Sequence, residues 1–264
     1  MTIRWTTLVG GCLTALIVAF LVTPAIMSIV AGLSVNYAKG LSSGLTLNWV
    51  IQVWALYSDT ILRSILVALA TLALTLLIGV PGAYALVRQG GRLAVLVEEL
   101  ITLPVAIPGL ALALALIITY GGFGAFRGSS LFIVVGHVLF TLPFMVRAVM
   151  AVLGTIDWKT LDEGAASLGA SSWRRFFDVI LPNVRPGVMA GALTVVTLSI
   201  GEFNLTWMMH TPLTKTLPVG LADAYASMRL EIASAYTLTF FIMIVPLLIG
   251  MQMAADFTEK RPKP

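Results

Sequence analysis

The sequence predicts an all-α membrane protein of about six transmembrane helices. Three observations carry this expectation. Of the 264 residues, 59% are hydrophobic and 11% charged, whereas a soluble globular domain carries about 45–50% apolar and about 25% charged residues. Six stretches approach or exceed the roughly 20 apolar residues that cross a hydrocarbon core about 30 Å thick. The 16 Lys and Arg residues are unevenly shared between the two sides those stretches define. This composition excludes a soluble globule, and it excludes intrinsic disorder more firmly. A net charge of +4 in such a chain reports on orientation and gives no ground for a nucleic-acid partner. The single cysteine, Cys12, excludes an intramolecular disulfide and a cysteine metal site.

The elements follow in order. Leu8–Leu33 carries no charge. Arg4 before it raises the possibility of a signal peptide, but the apolar run exceeds a signal core of about 7–15 residues and no A-x-A site follows, so a retained helix is expected. Leu45–Tyr57 is apolar, short and polar-flanked. It is expected as an outer interfacial helix, with Trp49, Trp54 and Tyr57 suited to the headgroup belt. The second span is Ile61–Val87, with Arg63 at its start, and the third is Ile101–Tyr120, which holds Pro104, Pro108 and Gly109. The fourth is Leu131–Val152, with Arg147 near its end; the fifth is Val188–Met209, with Glu202 inside; the sixth is the charge-free Ile232–Ala255. Pro81, Pro104, Pro108, Pro143 and Pro246 each remove a helix donor. They suit ordinary membrane helices or broken helices around a translocation path. The expected organisation is an N-terminal helix with its outer segment over 1–58, a core of five helices over 59–255 and a tail over 256–264. The core includes a patterned loop at about 154–187.

With the N-terminus inside, the inner side receives Arg4, Arg88, Arg92, Arg147, Lys159, Arg174, Arg175, Arg185, Lys260, Arg261 and Lys263, eleven in all. The outer side receives five: Lys39, Arg63, Arg127, Lys215 and Arg229. The positive-inside rule then places both termini in the cytoplasm and requires an even number of spans.

The loop between the fourth and fifth spans reads as a cytoplasmic helix-turn-helix. Thr160-Leu161-Asp162-Glu163 matches a capping box, Thr160 capping the start and Glu163 reaching back to a free amide. Gly169 permits a positive-φ stop. Ser171 or Ser172 caps a second helix, in which Trp173, Phe176, Phe177 and Ile180 fall on one apolar face with Arg174, Arg175 and Asp178 off it. Pro182 marks its end, and Pro186-Gly187 starts the fifth span. The pattern alone serves equally for lying on the inner leaflet and for docking into a groove of a soluble partner.

Glu202 is the one carboxylate well inside a span. It reads either as a pore or gate residue, together with Asn204, or as a structural hydrogen-bond anchor near the interface. His137 and His210 have no other ligand type at metal spacing, so no metal site is expected. Glu98 and Glu99 are expected at the inner edge of the third span, solvated or paired with Arg88 or Arg92. Gly187 and Gly191 form G-x-x-x-G, suited to close helix packing within the chain or across a dimer. No G-x-x-x-x-G-K-[ST] phosphate loop occurs, so ATP, if used, binds another chain. No Ser/His/Asp, Cys/His or paired-carboxylate set supports an enzyme.

Glu163-Gly164-Ala165, then Gly169, then Val179-Ile180-Leu181-Pro182, resembles the EAA loop of binding-protein-dependent ABC importer permeases. The family pattern is E-A-A, three residues, G, nine residues, I, one residue, L-P. Glu163, Ala165, Gly169, Leu181 and Pro182 keep it, while Gly164 stands for Ala and Val179 for Ile. Gly164 makes the first helix looser. The likeness extends from about Thr60 to the C-terminus, including Gly79-Val80-Pro81-Gly82-Ala83-Tyr84-Ala85 and Leu103-Pro104-Val105-Ala106-Ile107-Pro108-Gly109. Gly201-Glu202-Phe203, followed by Thr216-Leu217-Pro218-Val219, is similar to permeases for polyamines, iron, phosphonates and oxyanions.

The resemblance implies a permease subunit of a type I ATP-driven importer in the bacterial inner membrane. Its expected partners are two ATPase subunits, a second homologous or identical permease chain and an extracytoplasmic solute-binding protein. ATP and Mg belong to the ATPase, with no cofactor in this chain. The Thr160–Pro182 loop, through Glu163, Gly164, Ala165, Gly169, Trp173, Leu181 and Pro182, is implied to couple ATP hydrolysis to transport. A polyamine or an aminoalkylphosphonate is the expected solute. The rival is a secondary transporter acting without an ATPase, which predicts coupling-ion residues at the midplane and an internal repeat. Only Glu202 fits that rival. A membrane-embedded enzyme and a non-transporting scaffold are weaker alternatives.

Overall fold

The computed structural model describes residues 5–259, with the side chains of Thr6 and of residues 254–259 outside the description. Arg4, Lys260, Arg261 and Lys263, and with them the end of the 256–264 tail, therefore lie outside the described residues. The elements are α1 (Trp5–Gly32), α2 (Asn48–Gln89), α3 (Gly91–Ala106), α4 (Gly109–Tyr120), α5 (Ser130–Leu153), α6 (Trp158–Ser167), α7 (Ser172–Asn183), α8 (Arg185–Gly201), α9 (Asn204–Met209), α10 (Leu217–Ala226) and α11 (Leu230–Glu259). Among the described residues four helices are long and apolar enough to cross a bilayer, or up to six if each of the bent pairs α3/α4 and α7/α8 is one span. The all-α membrane architecture is thus present.

Two of the expected spans are interrupted. Ile101–Tyr120 is not one helix, because α3 and α4 meet at 106°. Pro108 disfavours the helical region for the residue before it, and Ile107 is extended at φ −90°, ψ 132°. The 12 residues of α4 span only about 18 Å. Pro81, Pro104, Pro143 and Pro246 lie inside helices that continue past them, so only Pro108 among these prolines breaks a helix. Val188–Met209 is interrupted as well: α8 stops at Gly201, Glu202 is extended, and α9 begins at Asn204. A short helix does precede the second span, as expected for Leu45–Tyr57. It starts at Asn48 and is set off from the rest of α2 by a kink at Tyr57, whose backbone is non-helical (φ −132°, ψ 16°). No Gly or Pro occurs between Asn48 and Ile78, so neither residue type makes this kink.

The chain divides into two compact units, 1–59 with 220–243, and 60–219 with 244–264. In the first unit α1 is almost wholly exposed along its length, as a lipid-facing helix without charged side chains would be; the Thr14 and Thr23 hydroxyls donate to the Gly10 and Ala19 carbonyls of the same helix. Its end is fixed by close contact, since a Cβ on Gly32 would lie 2.6 Å from the Ser234 carbonyl carbon. The following turn is tied by Thr46 N–H to the Leu33 carbonyl (2.7 Å), Trp49 Nε1 to the Ser34 carbonyl (3.0 Å) and the Tyr37 amide to Glu231 (2.9 Å).

In the second unit α5 is the spine. Val146, Val149 and Leu153 pack with Val80 and Ala83 of α2, Ile180 of α7 and Val195 of α8. Phe132, Ile133 and Val138 pack with Leu112 and Leu116 of α4 and Leu205 and Met209 of α9. The G-x-x-x-G pair serves packing within the chain. A Cβ on Gly187 would stand 2.6 Å from the Ala148 carbonyl oxygen, and one on Gly191 would stand 2.7 Å from Met145 Sδ. Only hydrogen at these positions lets α8 approach α5 so closely.

Candidate functional site

The patterned loop folds as two short helices, α6 and α7, but α6 starts earlier than a Thr160 cap allows. The expected capping box does not form. Asp157 is the cap: its carboxylate accepts the Thr160 hydroxyl proton at 2.6 Å and the Thr160 amide at 3.3 Å. These two bonds, the hydroxyl first, hold the Asp157 carboxyl below its ordinary range, with Lys159 contributing less. Starting at Trp158 adds most of a turn and lets Trp158 pack against the core, edge-on to Tyr84 at 6.1 Å. That packing decides between two chemically equal caps. Glu163 is exposed, and its carbonyl accepts the Ser167 hydroxyl at 3.0 Å.

Gly169 ends α6 as expected, at φ +82°. The Ala170 amide donates to the Ala165 carbonyl (3.0 Å) and the Gly169 amide to that of Ala166 (2.9 Å), the paired pattern of a Schellman stop. Ser171, rather than Ser172, caps α7 by accepting from the Arg174 amide at 3.4 Å. The expected single apolar face of α7 is split. Arg175–Ile180 forms a π-turn, whose i→i+5 spacing shifts the register of the face. Ile180 is fully buried and Phe176 packs on the core, while Trp173 (73% exposed) and Phe177 (39%) stay outside, their rings 4.4 Å apart. With Leu168, 90% exposed at the turn, they leave three large apolar side chains on the loop surface. Leu181 is partly buried on the core, and the helix carries Pro182 and ends at Asn183.

Beneath this tip lies a polar cluster. Asp162, 6% exposed, accepts from Arg175 Nη1 at 2.8 Å and from the Tyr84 hydroxyl at 2.9 Å, and Arg88 Nη2 stands 3.9 Å away. Arg175 also donates to Ser172 Oγ at 3.0 Å. The Tyr84 ring lies between Trp158 and Phe176, at 6.1 and 5.6 Å. Arg88 therefore pairs with Asp162. Glu98 pairs instead with Arg147 of α5 at 3.7 Å, not with Arg88 or Arg92 as expected, because α3 begins at Gly91 and runs beside α5.

The break in the fifth span is organised by Glu202. Its Oε1 accepts from the Leu205 amide (2.8 Å), and its Oε2 accepts from the Thr206 amide (2.8 Å) and hydroxyl (2.9 Å). His137 of α5 lies between Ser199 and Thr206, with 2.8 Å from Nδ1 to Ser199 Oγ and 2.8 Å from Nε2 to Thr206 Oγ1. A carboxylate only accepts, so Thr206 gives its one proton to Glu202 and takes a bond from His137 Nε2–H. Nδ1 is then the acceptor for Ser199. At the other end of α9, Arg127 donates to the Met209 carbonyl at 2.6 Å. The six-residue helix thus has an anion at its amino end and a cation at its carboxyl end, as the helix dipole favours. Asn204 is exposed beside the second break, its Cβ 3.4 Å from where a Gly109 Cβ would lie. The sequence singled out Glu202 but not its partners, since Ser199 and Thr206 are ordinary residues until the break brings them to His137.

A helical bundle with two interrupted crossings and a helical hairpin carrying an apolar tip defines a multi-pass membrane component. The family described as binding-protein-dependent transport system inner membrane component matches residues 75–263. The chain is 28% identical over 248 residues to the putative 2-aminoethylphosphonate transport system permease protein PhnV of Salmonella typhimurium, covering 92% of each. It is 28% identical over 194 residues to the molybdenum transport system permease protein ModB of Azotobacter vinelandii, covering 68% of this chain and 84% of that one. Its fold matches a chain of the bacterial ABC transporter that imports alginate, with a TM-score of 0.68, 16% identity and coverage of 94% and 95%. It also matches a chain of the MetNI methionine ABC transporter, with a TM-score of 0.63, 18% identity and coverage of 79% and 97%. The chain belongs to the binding-protein-dependent transport system inner membrane component family, as a transmembrane permease subunit of an ABC importer.

Proposed function

We propose that the loop over Thr160–Pro182 docks into an ATPase subunit and that its movement drives transport. The observation that carries this reading is the apolar tip at the Gly169 turn. Leu168, Trp173 and Phe177 are exposed on a hairpin whose inner face is buried and polar-locked. Exposed apolar clusters of this kind mark partner surfaces. Glu163, Gly164 and Ala165 lie on the same hairpin, at the positions of the family's motif. In this reading the chain works with two ATPase subunits that carry ATP and Mg, a second permease chain and an extracytoplasmic binding protein. Both termini lie in the cytoplasm, as the Lys and Arg distribution favours. Transport without an ATPase, the secondary-transporter reading, leaves the patterned loop unexplained.

Within the small polar solutes, an aminoalkylphosphonate is the solute we favour, supported by the relative named for 2-aminoethylphosphonate. The test is purification of the tagged chain in mild detergent, with mass spectrometry of the proteins that accompany it. An ATPase subunit should co-purify with the wild type and be lost in Gly169→Pro and weakened in Glu163→Lys, with membrane insertion unchanged. Equal recovery in both variants would remove the docking role. ATP-dependent uptake of labelled 2-aminoethylphosphonate, competed poorly by a polyamine, would support the solute; the reverse order of competition would move it to the polyamines.

A further inference from the structure

We propose that Asp162 is a positioning residue for transport, tying the loop hairpin to the end of the second span so that a push on the hairpin moves α2. The proposal rests on the docking role given to the hairpin above. It names the route by which movement leaves that hairpin.

Three elements meet at one carboxylate. Asp162 belongs to α6, Arg175 to α7, and Tyr84 and Arg88 to the last turns of α2. The Asp162–Arg175 bond (2.8 Å) closes the hairpin on itself, and the Tyr84–Asp162 bond (2.9 Å) fastens it to α2. Arg88 adds a second charge from α2 at 3.9 Å. The carboxylate and its closest partner are sheltered, Asp162 at 6% exposure and the Arg175 side chain at 13%, while Arg88 approaches from the solvent side, 47% exposed.

The chemistry of these contacts decides what they transmit. Apolar neighbours such as Tyr84 against Trp158 and Phe176 are non-directional, so packed surfaces can slide while staying buried. A hydrogen bond weakens steeply once its distance or angle departs from a narrow range. A buried charge cannot leave its partner without a large desolvation cost. The node therefore resists displacement of the hairpin relative to α2 far more than the apolar contacts do. Without it, covalent continuity carries movement only into α5, through residues 154–157, and into α8, through the Val184 turn at the 74° bend; neither path reaches the end of α2.

The π-turn supports this reading. It begins at Arg175, the residue that reaches Asp162. A regular helix with Trp173, Phe176, Phe177 and Ile180 on one face would leave Arg175 off it. In the structure Phe176 and Ile180 turn inward along with Arg175, and Trp173 and Phe177 stay out. One face of α7 is thereby divided between a surface for a partner and an anchor for α2.

The test uses the full permease–ATPase complex in proteoliposomes, with a spin label at Gln89→Cys in a Cys12→Ser background. Gln89 is the exposed last residue of α2. Asp162→Asn keeps the shape and removes the charge, and Tyr84→Phe removes only the hydroxyl. Both should retain the ATPase subunit and hydrolyse ATP within twofold of wild type. The ATP-dependent change in the label spectrum should fall severalfold in Asp162→Asn and partly in Tyr84→Phe. The double variant should be no worse than Asp162→Asn, since both act through one node. An undiminished label response in either variant would overturn the proposal. So would loss of the ATPase subunit in Tyr84→Phe, which would make the node part of the docking surface; if Asp162→Asn fails to assemble, Tyr84→Phe alone decides. A wild-type chain that never holds an ATPase subunit would instead overturn the docking role itself, and the proposal with it.

Discussion

Replacing Glu202 with alanine separates two roles for the carboxylate at the break in the fifth span. In the structure it serves the fold. It accepts two backbone amides and one hydroxyl at 2.8–2.9 Å, and its side chain is 9% exposed. Losing an N-terminal cap costs about 0.5–2 kcal/mol. Leaving the Thr206 hydroxyl, fully buried, without its acceptor adds roughly 1–3 kcal/mol. Glu202→Ala should therefore destabilise the chain by about 2–4 kcal/mol, since the two penalties overlap in part. Glu202→Gln keeps one acceptor but turns an amide donor toward Thr206 or Leu205, and should cost roughly half as much. SDS titration of the purified chain in mixed micelles measures this. Thr206→Val in the Glu202→Ala background should cost roughly 1–3 kcal/mol more, because the Thr206 hydroxyl still accepts from the buried His137 Nε2–H. The reasoning fails if Glu202→Ala leaves the midpoint unmoved while abolishing uptake. The carboxylate would then act on the solute, and its three hydrogen bonds would be incidental to stability.

Two further expectations concern packing and capping. Gly191→Ala places a methyl 2.7 Å from Met145 Sδ and 3.2 Å from its Cα, and should destabilise by about 1–3 kcal/mol through overpacking. Gly82→Ala meets nothing within 4 Å and should be neutral or stabilising by about 0.5–1 kcal/mol; equal midpoints in the same titration would deny that the α5–α8 approach requires hydrogen at 191. Asp157 is held ionised by Thr160, so its capping is complete above the ordinary carboxyl range and is lost as pH falls through the lowered value. Hydrogen-exchange protection of the Thr160 amide should decline on acidification in wild type, but start low and stay flat in Asp157→Ala.

What the sequence made legible was periodic or local. Apolar runs announce the crossings because lipid forbids unpaired charge, and the five matched motif positions announce the hairpin. Gly169 announces its turn because a positive φ is a property of one residue. The misread positions depended on competition between local signals. Asp157 and Thr160 are both good caps, and the choice fell to whether Trp158 finds a core. Pro108 breaks its helix, with Ile107 extended before it, and Pro104 does not, although each presents the same missing donor. The π-turn left no mark, because its apolar residues keep the spacing of a regular helix.

The unread contacts share a further property. Tyr84 and Asp162 are 78 residues apart, and His137 is 62 residues from Ser199 and 69 from Thr206. Asp162 and Glu202 are both largely buried carboxylates. In a chain with 11% charged residues, a buried charge is costly unless several groups meet it. Burial of such a charge therefore argues for company in space. Glu202 and Asp162 satisfy that demand by opposite means. Glu202 turns back onto its own backbone and fixes a break within one span. Asp162 gathers side chains from two other helices, and so sits where a hairpin suited to a partner meets a helix suited to the membrane. A charge that caps its own chain can be removed at a local cost, whereas one that joins separate elements governs how they move together. That difference is why Glu202 is the residue whose loss should read out as stability, and Asp162 the one whose loss should read out as coupling.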